Sequence, residues 1–118
     1  MVEIEKNEVR KLLKELKRII RESGLIIIYK DENIKGRIEL GMTIKTLKDE
    51  VLSLSVLDYS QGPLYDVQEG GDLWVFGKEI NGKETYMKFK IFLTASGYHA
   101  KCLSIHPANK PMKYPFKE

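Results

Sequence analysis

Residues 73–92 read LWVFGKEINGKETYMKFKIF and predict a β-hairpin. Apolar and polar residues alternate on both sides of Asn81-Gly82, and an Asn-Gly pair between two such runs is the strongest short-range hairpin signal. If the loop has two residues, Gly77 faces Tyr86 across the two strands. The apolar face of the hairpin is then core, and the opposite face carries polar side chains.

A third strand, at residues 100–106, follows a short connection. Its Leu103 and Ile105 alternate with polar residues, so we expect the polar side chains to share the open face with those of strand 84–93. The side chains predicted to share that face are Tyr86, Lys88, Lys90, Cys102, Ser104 and His106. Alternation does not fix the register between these two strands.

Residues 1–72 predict helices ahead of the hairpin. Apolar residues at helical spacing predict a helix over about 4–22, and Thr43 is a candidate N-cap of a second helix. The other predicted segments are a strand at 25–31, a polar connection between Gly36 and Gly41, a loop at 60–72 and an extended tail at 105–118. We therefore predict one domain, 1–118, with an α+β fold in which N-terminal helices pack on one face of a small antiparallel sheet.

Composition excludes several classes of protein. The 118 residues contain one cysteine and two histidines, too few for an internal disulfide or a convincing zinc site. No apolar run approaches the roughly 20 residues that span a bilayer, and the charged N-terminus does not resemble a signal peptide. We find no cofactor or nucleotide-binding motif. We expect a cytoplasmic protein without cofactor, metal or membrane partner.

Charge is unevenly distributed along the sequence, and its C-terminal third is basic. Residues 78–118 carry eight lysines and three acids, whereas residues 49–77 carry six acids and no lysine or arginine. A basic segment on an open sheet face favours a polyanion such as nucleic acid as the ligand. A lysine-rich solvated surface is the alternative interpretation.

The polar face contains the residue types that cut RNA without a metal. The 2′-hydroxyl of RNA is an internal nucleophile, so an enzyme needs proton-transfer groups and cations near the phosphate. His106 and Tyr86 are the candidates for proton transfer, the tyrosine if lysines lower its pKa, and Lys88 and Lys90 could hold the phosphate. Alternatively, His106 is a surface residue and Tyr86 only covers Gly77.

Three further segments resemble a known toxin family. LSVLDYSQGP (54–63), ETYMKFKI (84–91) and CLSIHPA (102–108), with Trp74 between the first two, resemble the motility quorum-sensing regulator (MqsR) toxins of the RelE-like group. The resemblance covers about residues 50–108. It implies an mRNA endoribonuclease that is held inactive by a cognate antitoxin protein.

The resemblance also assigns residues. Tyr86 stands at the position of the family's catalytic tyrosine, and His106 stands where MqsR has a lysine. Gln61 and Val75 align with a lysine and a glutamine of the family's site. We therefore expect Tyr86, His106 and Lys88 to be catalytic. The expected substrate-binding residues are Lys90, Lys78, Gln61, Ser104 and Lys101.

Two other functions are consistent with the sequence. A relative without catalytic activity would bind RNA, and the residues at positions 61 and 75 favour this possibility. A protein-interaction domain would use the acidic segment 49–77 or the basic face of the first helix.

Overall fold

The structure, a computed structural model, describes residues 4–117 and confirms a small α+β fold. One five-stranded sheet has the strand order β1-β5-β4-β3-β2. All neighbouring strands are antiparallel except β1 and β5, which are parallel, so the sheet is mixed. The elements are α1 (Lys6–Ser23), β1 (Leu25–Ile27), α2 (Asp31–Glu39), α3 (Ile44–Leu52), a 3-10 turn (Val56–Asp58), β2 (Tyr59–Tyr65), β3 (Asp72–Ile80), β4 (Lys83–Thr94) and β5 (Gly97–Pro107).

The predicted hairpin is present with the predicted register. Asn81 and Gly82 both have positive φ angles, 50° and 80°, which a tight two-residue turn of this kind requires. Gly77 pairs with Tyr86, as expected for a two-residue loop. The sequence therefore positions the whole β3–β4 ladder correctly.

The core lies between the apolar face of the sheet and helices α1 and α3. Phe76, Met87 and Ile105 project from β3, β4 and β5 into a cluster with Leu16 and Val51 of the helices, and all five are at most 1% exposed. The helical spacing of the α1 sequence predicts its buried face. Helix α3 begins at the predicted cap, where the Thr43 hydroxyl accepts a hydrogen bond of 3.1 Å from the Thr46 amide.

Two elements were not predicted. Residues 31–39, expected to be the end of a strand and a polar connection, form α2, so β1 ends at Ile27. Residues 59–65, mostly assigned to a loop, form the edge strand β2. Gly62 and Pro63 suggested a loop, but an edge strand tolerates a proline because one side of it needs no amide donors.

A β-bulge in β5 changes which side chains share a face. Lys88 pairs with Ser104, but Phe89 pairs with Cys102, so the register shifts by one residue at Leu103. Ser104 stays on the open face, whereas Cys102 turns into the core and is fully buried. The prediction that Cys102 shares the open face is therefore wrong, because a bulge reverses the alternation.

The C-terminal tail, residues 108–117, folds back over the open face of the sheet. Strand β5 continues through Pro107, so this tail starts later than predicted. A Cβ atom on Gly77 would lie 2.6 Å from the Met112 sulfur and 2.7 Å from the Tyr114 hydroxyl. Further on, the Phe116 ring stacks on Tyr59 at 5.4 Å and packs against the core. The missing side chain at residue 77 thus makes room for the tail.

Candidate functional site

A cleft of about 790 Å³ opens on the face of the sheet opposite the core. Its floor is the polar face of β4 and β5, including Tyr86, Lys88 and His106. The first turn of α2 forms one wall and the C-terminal tail forms the other. Residues 60 and 61 of β2 also line it. The register that the sequence left open thus brings the expected catalytic side chains into one cleft.

Tyr86 and His106 are direct neighbours on β4 and β5. Their rings stack with centroids 5.1 Å apart and planes inclined by 17°. The His106 side chain is 13% exposed. Its Nδ1 lies 2.8 Å from the Pro107 carbonyl oxygen, and its Nε2 lies 3.0 Å from a carboxylate oxygen of Glu32 on α2. The imidazole is therefore held in place from three sides.

The pKa of the Tyr86 phenol lies above its ordinary value. Burial raises this pKa, and the negative charge of Glu32 raises it further. Lysines therefore do not lower it, so the condition under which Tyr86 would transfer a proton is not met. At neutral pH the phenol is protonated, so it can donate a hydrogen bond to a ligand but is poorly suited to accept a proton.

Within the described residues, four lysines without an acidic partner line the cleft. Among residues 4–117, none of the four lysines that line the cleft lies within ion-pair distance of a carboxylate. A cluster of uncompensated ammonium groups attracts anions. These four lysines are Lys30, Lys88, Lys110 and Lys113.

Lys90 does not belong to this set. It is 5% exposed, and its ammonium group lies 2.7 Å from an Asp66 carboxylate oxygen. The loop at residues 66–71 covers it: Asp66 accepts amide hydrogen bonds from Gln68 and Glu69 and closes a tight turn over Lys90. The expectation that Lys90 holds a phosphate is corrected, because its charge is already neutralised in a buried ion pair.

Two other expected substrate-binding lysines also have carboxylate partners. Lys78 lies on the core side of β3 and pairs with Glu50 of α3 at 2.8 Å. Lys101 pairs with Glu69 at 3.1 Å and lies over the Phe92 ring. Neither lines the cleft. Once the hairpin register is known, strand alternation predicts that the Lys78 side chain lies on the face of the sheet that packs against helices α1 and α3.

Of the remaining residues that the sequence analysis named, two line the cleft and one lies beneath its floor. Gln61 and Ser104 both line the cleft, the first exposed and the second nearly buried. Val75 pairs with Lys88 and with Gln61 but is completely buried, so it contributes packing and no polar group.

Sequence reasoning missed the residues of the two walls. Glu32 belongs to an unpredicted helix and Lys30 is its N-cap, whereas Lys110 and Lys113 belong to a tail whose path was left open. The concentration of lysine in the last third of the sequence was the available signal for the tail. No local pattern marks Glu32 as a neighbour of His106.

Three further observations concern membrane spans, metal ligands and the cysteine of the described residues. No helix in residues 4–117 is long and apolar enough to cross a membrane. Within the same range, no group of three or more histidine, cysteine or acidic side chains is placed to hold a metal ion. Cys102 is buried, and burial raises the pKa of its thiol to about 12, so it is unsuited to act as a nucleophile.

Comparison with known proteins identifies no relative. No protein-family model, no curated protein and no solved structure matches this chain. The resemblance to the MqsR-like toxins therefore stays a prediction from the sequence.

Proposed function

We propose that the protein is a metal-independent endoribonuclease that cuts single-stranded mRNA. The observation that carries this proposal is the adjacency of Tyr86 and His106 on the floor of a cationic cleft, beside Lys88, which forms no ion pair within residues 4–117. A positively charged groove that follows the phosphate backbone is a general feature of proteins that bind single strands. Such a protein would act in the cytoplasm, where mRNA is translated.

The cleft offers a side chain for each site at which negative charge develops during cleavage, namely the leaving oxygen and the phosphate. The 2′-hydroxyl attacks phosphorus and the bond to the 5′-oxygen breaks, which leaves a 2′,3′-cyclic phosphate and a 5′-hydroxyl. In this reaction His106 protonates the leaving 5′-oxygen. Lys88 offsets the charge on the phosphate, and the protonated phenol of Tyr86 donates a hydrogen bond to a phosphate oxygen.

The resemblance to MqsR-like toxins extends the proposal to a partner. A cognate antitoxin protein would bind the toxin and block its activity. Expression of the chain alone should then arrest growth, and co-expression of the product of a small neighbouring reading frame should restore it.

The first experiment is cleavage of a labelled single-stranded RNA in the presence of EDTA. We expect a 2′,3′-cyclic phosphate product and no cleavage of DNA of the same sequence, because DNA lacks the attacking hydroxyl. His106→Ala should lower the rate by about 10²–10⁴-fold. Lys88→Ala should lower it on the order of 10²-fold.

Lys78→Ala is the matched control, because it removes the same charge from the neighbouring strand on the other side of the sheet. It should cleave RNA like the wild type. A requirement for a divalent metal, or full activity of His106→Ala, would contradict the proposal.

A second candidate function is RNA binding without cleavage. The complete burial of Val75, where the family has a glutamine, favours it, and so does the contact of both His106 ring nitrogens with protein acceptors. RNA binding that weakens steeply with salt, without any product, would identify this function.

A further inference from the structure

Two residues of α2 hold its first turns against the β5 segment that carries His106. A Cβ atom on Gly36 would lie 2.3 Å from the Ile105 carbonyl oxygen and 2.8 Å from the His106 Cα, so the helix approaches as closely as a glycine allows. The Asn33 amide donates to the Leu103 carbonyl oxygen at 2.9 Å and accepts from the Ile105 amide at 3.1 Å. Backbone packing therefore holds the start of α2 beside the imidazole.

Glu32 lies one helical turn before Gly36 and reaches the imidazole from this position. Its Oε1 is 3.0 Å from His106 Nε2, and the Pro107 carbonyl oxygen is 2.8 Å from Nδ1. A carboxylate and a carbonyl oxygen only accept hydrogen bonds, so the ring donates to both of them only when both nitrogens carry a proton. In that form His106 can give a proton but cannot take one.

Tyr86 and Lys88 do not act as the proton acceptor in place of His106. The Tyr86 phenol is protonated at neutral pH because burial raises its pKa. Lys88 is an ammonium group, which only donates. Of the residues that line the cleft in the described part of the chain, Glu32 is the one with a carboxylate.

We propose that Glu32 is a catalytic residue that takes the proton from the 2′-hydroxyl of RNA while His106 gives one to the leaving oxygen. This inference rests on the proposed ribonuclease function and assigns the one proton transfer that the function leaves open. The Glu32 side chain is 55% exposed, so it can leave Nε2 when a phosphate enters the cleft. The phosphate oxygens then take its place opposite Nε2.

The step balances in protons and bonds. The Glu32 carboxylate accepts the 2′-hydroxyl proton as the 2′-oxygen bonds to phosphorus. The bond from phosphorus to the 5′-oxygen breaks, and that oxygen takes the Nε2 proton of His106. Glu32 then holds one proton more and His106 one fewer, and the resting contact of 3.0 Å lets this proton return to the imidazole after product release.

Two substrates separate the role of the proton acceptor from that of the donor. The first is single-stranded RNA, whose 5′-oxygen needs a proton to leave. The second is the set of 3′-(4-nitrophenyl phosphates) of the four ribonucleosides, whose leaving group needs none. Glu32→Gln should lower cleavage of both substrates by about 10²–10⁴-fold. His106→Ala should lower cleavage of RNA far more than cleavage of the nitrophenyl esters.

Asp31→Asn is the matched control, since it removes the same charge from the same turn of α2 and Asp31 does not line the cleft. It should behave like the wild type on both substrates. Glu32→Gln should also remove the acidic limb of the pH profile of kcat/KM, a change that a purely structural role would not produce. If Glu32→Gln does not fold, Glu32→Asp, which keeps the carboxylate, should retain the acidic limb with a lower rate.

The outcomes distinguish this inference from the function on which it rests. A wild-type protein that cleaves neither substrate would overturn the ribonuclease proposal itself. An active wild type together with a fully active Glu32→Gln would overturn only the role of Glu32. The role of Glu32 would also be overturned by a Glu32→Gln protein that retains the acidic limb of the wild type, or by a Glu32→Asp protein that has lost it.

Discussion

The partner of each lysine decides what that lysine can do. Lys88 and Lys90 lie two residues apart on one face of β4, and alternation gives them the same expected role. The structure separates them, since a loop carrying Asp66 folds over Lys90 and leaves Lys88 in the cleft. Sequence pattern predicts the face of a strand, but contacts across 24 residues of chain determine which charges stay available.

The Asp66–Lys90 pair makes a prediction about stability and pH. The hydrogen bond from Lys90 holds the pKa of the Asp66 carboxyl at about 2, against an ordinary value of 3.8. Because the folded pKa is the lower one, this contribution to stability is present above pH 3.8 and is lost as the pH falls through about 2. Asp66→Asn should lower the free energy of unfolding at pH 7 and flatten its decrease between these two values.

Urea unfolding at pH 7, 4 and 2 measures this effect. Asp72→Asn is the control, because Asp72 is exposed at the start of β3 and forms no ion pair within residues 4–117. It should leave the pH dependence unchanged. Equal pH dependence of Asp66→Asn and the wild type would show that the pair contributes nothing to it.

At the scale of elements, the sequence predicts those whose signal is local. The Asn81-Gly82 turn fixes the β3–β4 register, and the apolar spacing of α1 fixes its buried face. Helix α2 was missed because its buried positions are Asn33 and Gly36, residues that predict turns and become buried only by contact with β5. The bulge at Leu103 likewise lies at a tertiary contact, where Asn33 bonds the Leu103 carbonyl oxygen and the Ile105 amide.

Gly36→Ala tests the close approach of α2 to β5. In an isolated helix alanine is favoured over glycine by about 1 kcal/mol. Here the added methyl group would lie 2.3 Å from the Ile105 carbonyl oxygen, so the helix must shift. We expect a net loss of stability of about 1–3 kcal/mol, typical of overpacking.

Chemical denaturation measures this loss, with Lys35→Ala as the control. Lys35 is the exposed residue just before Gly36 in α2, and its replacement should change stability little. If Gly36→Ala is more stable than the wild type, α2 does not pack as closely as described.

For the molecule as a whole, the net charge of +3 does not show which cations lie at the cleft. Lys110 and Lys113, which form no ion pair within residues 4–117, belong to the tail wall of the cleft. If this wall contacts RNA phosphates, each lysine releases counterions on binding. The cleft, and not the basic face of α1, should then determine how affinity depends on salt.

The double variant Lys110→Ala, Lys113→Ala tests whether the tail wall contacts RNA phosphates. The slope of log affinity against log salt for single-stranded RNA should become shallower by roughly 1.4, from about 0.7 per phosphate contact. The double variant Lys11→Ala, Lys14→Ala removes the same charge from exposed positions of α1 and should keep the wild-type slope. Equal slopes in the two double variants would place the RNA elsewhere.

The order in which the chain is synthesised gives the sheet topology a further consequence. Leu25 of β1 pairs with Ala100 of β5, and Phe116 docks on Tyr59. Domains fold as the nascent polypeptide leaves the ribosome, so β1 has no partner until β5 emerges. The tail wall forms later still, once Phe116 has cleared the exit tunnel. Closure of the sheet by β1 and assembly of the tail wall are therefore late steps in the folding of this chain.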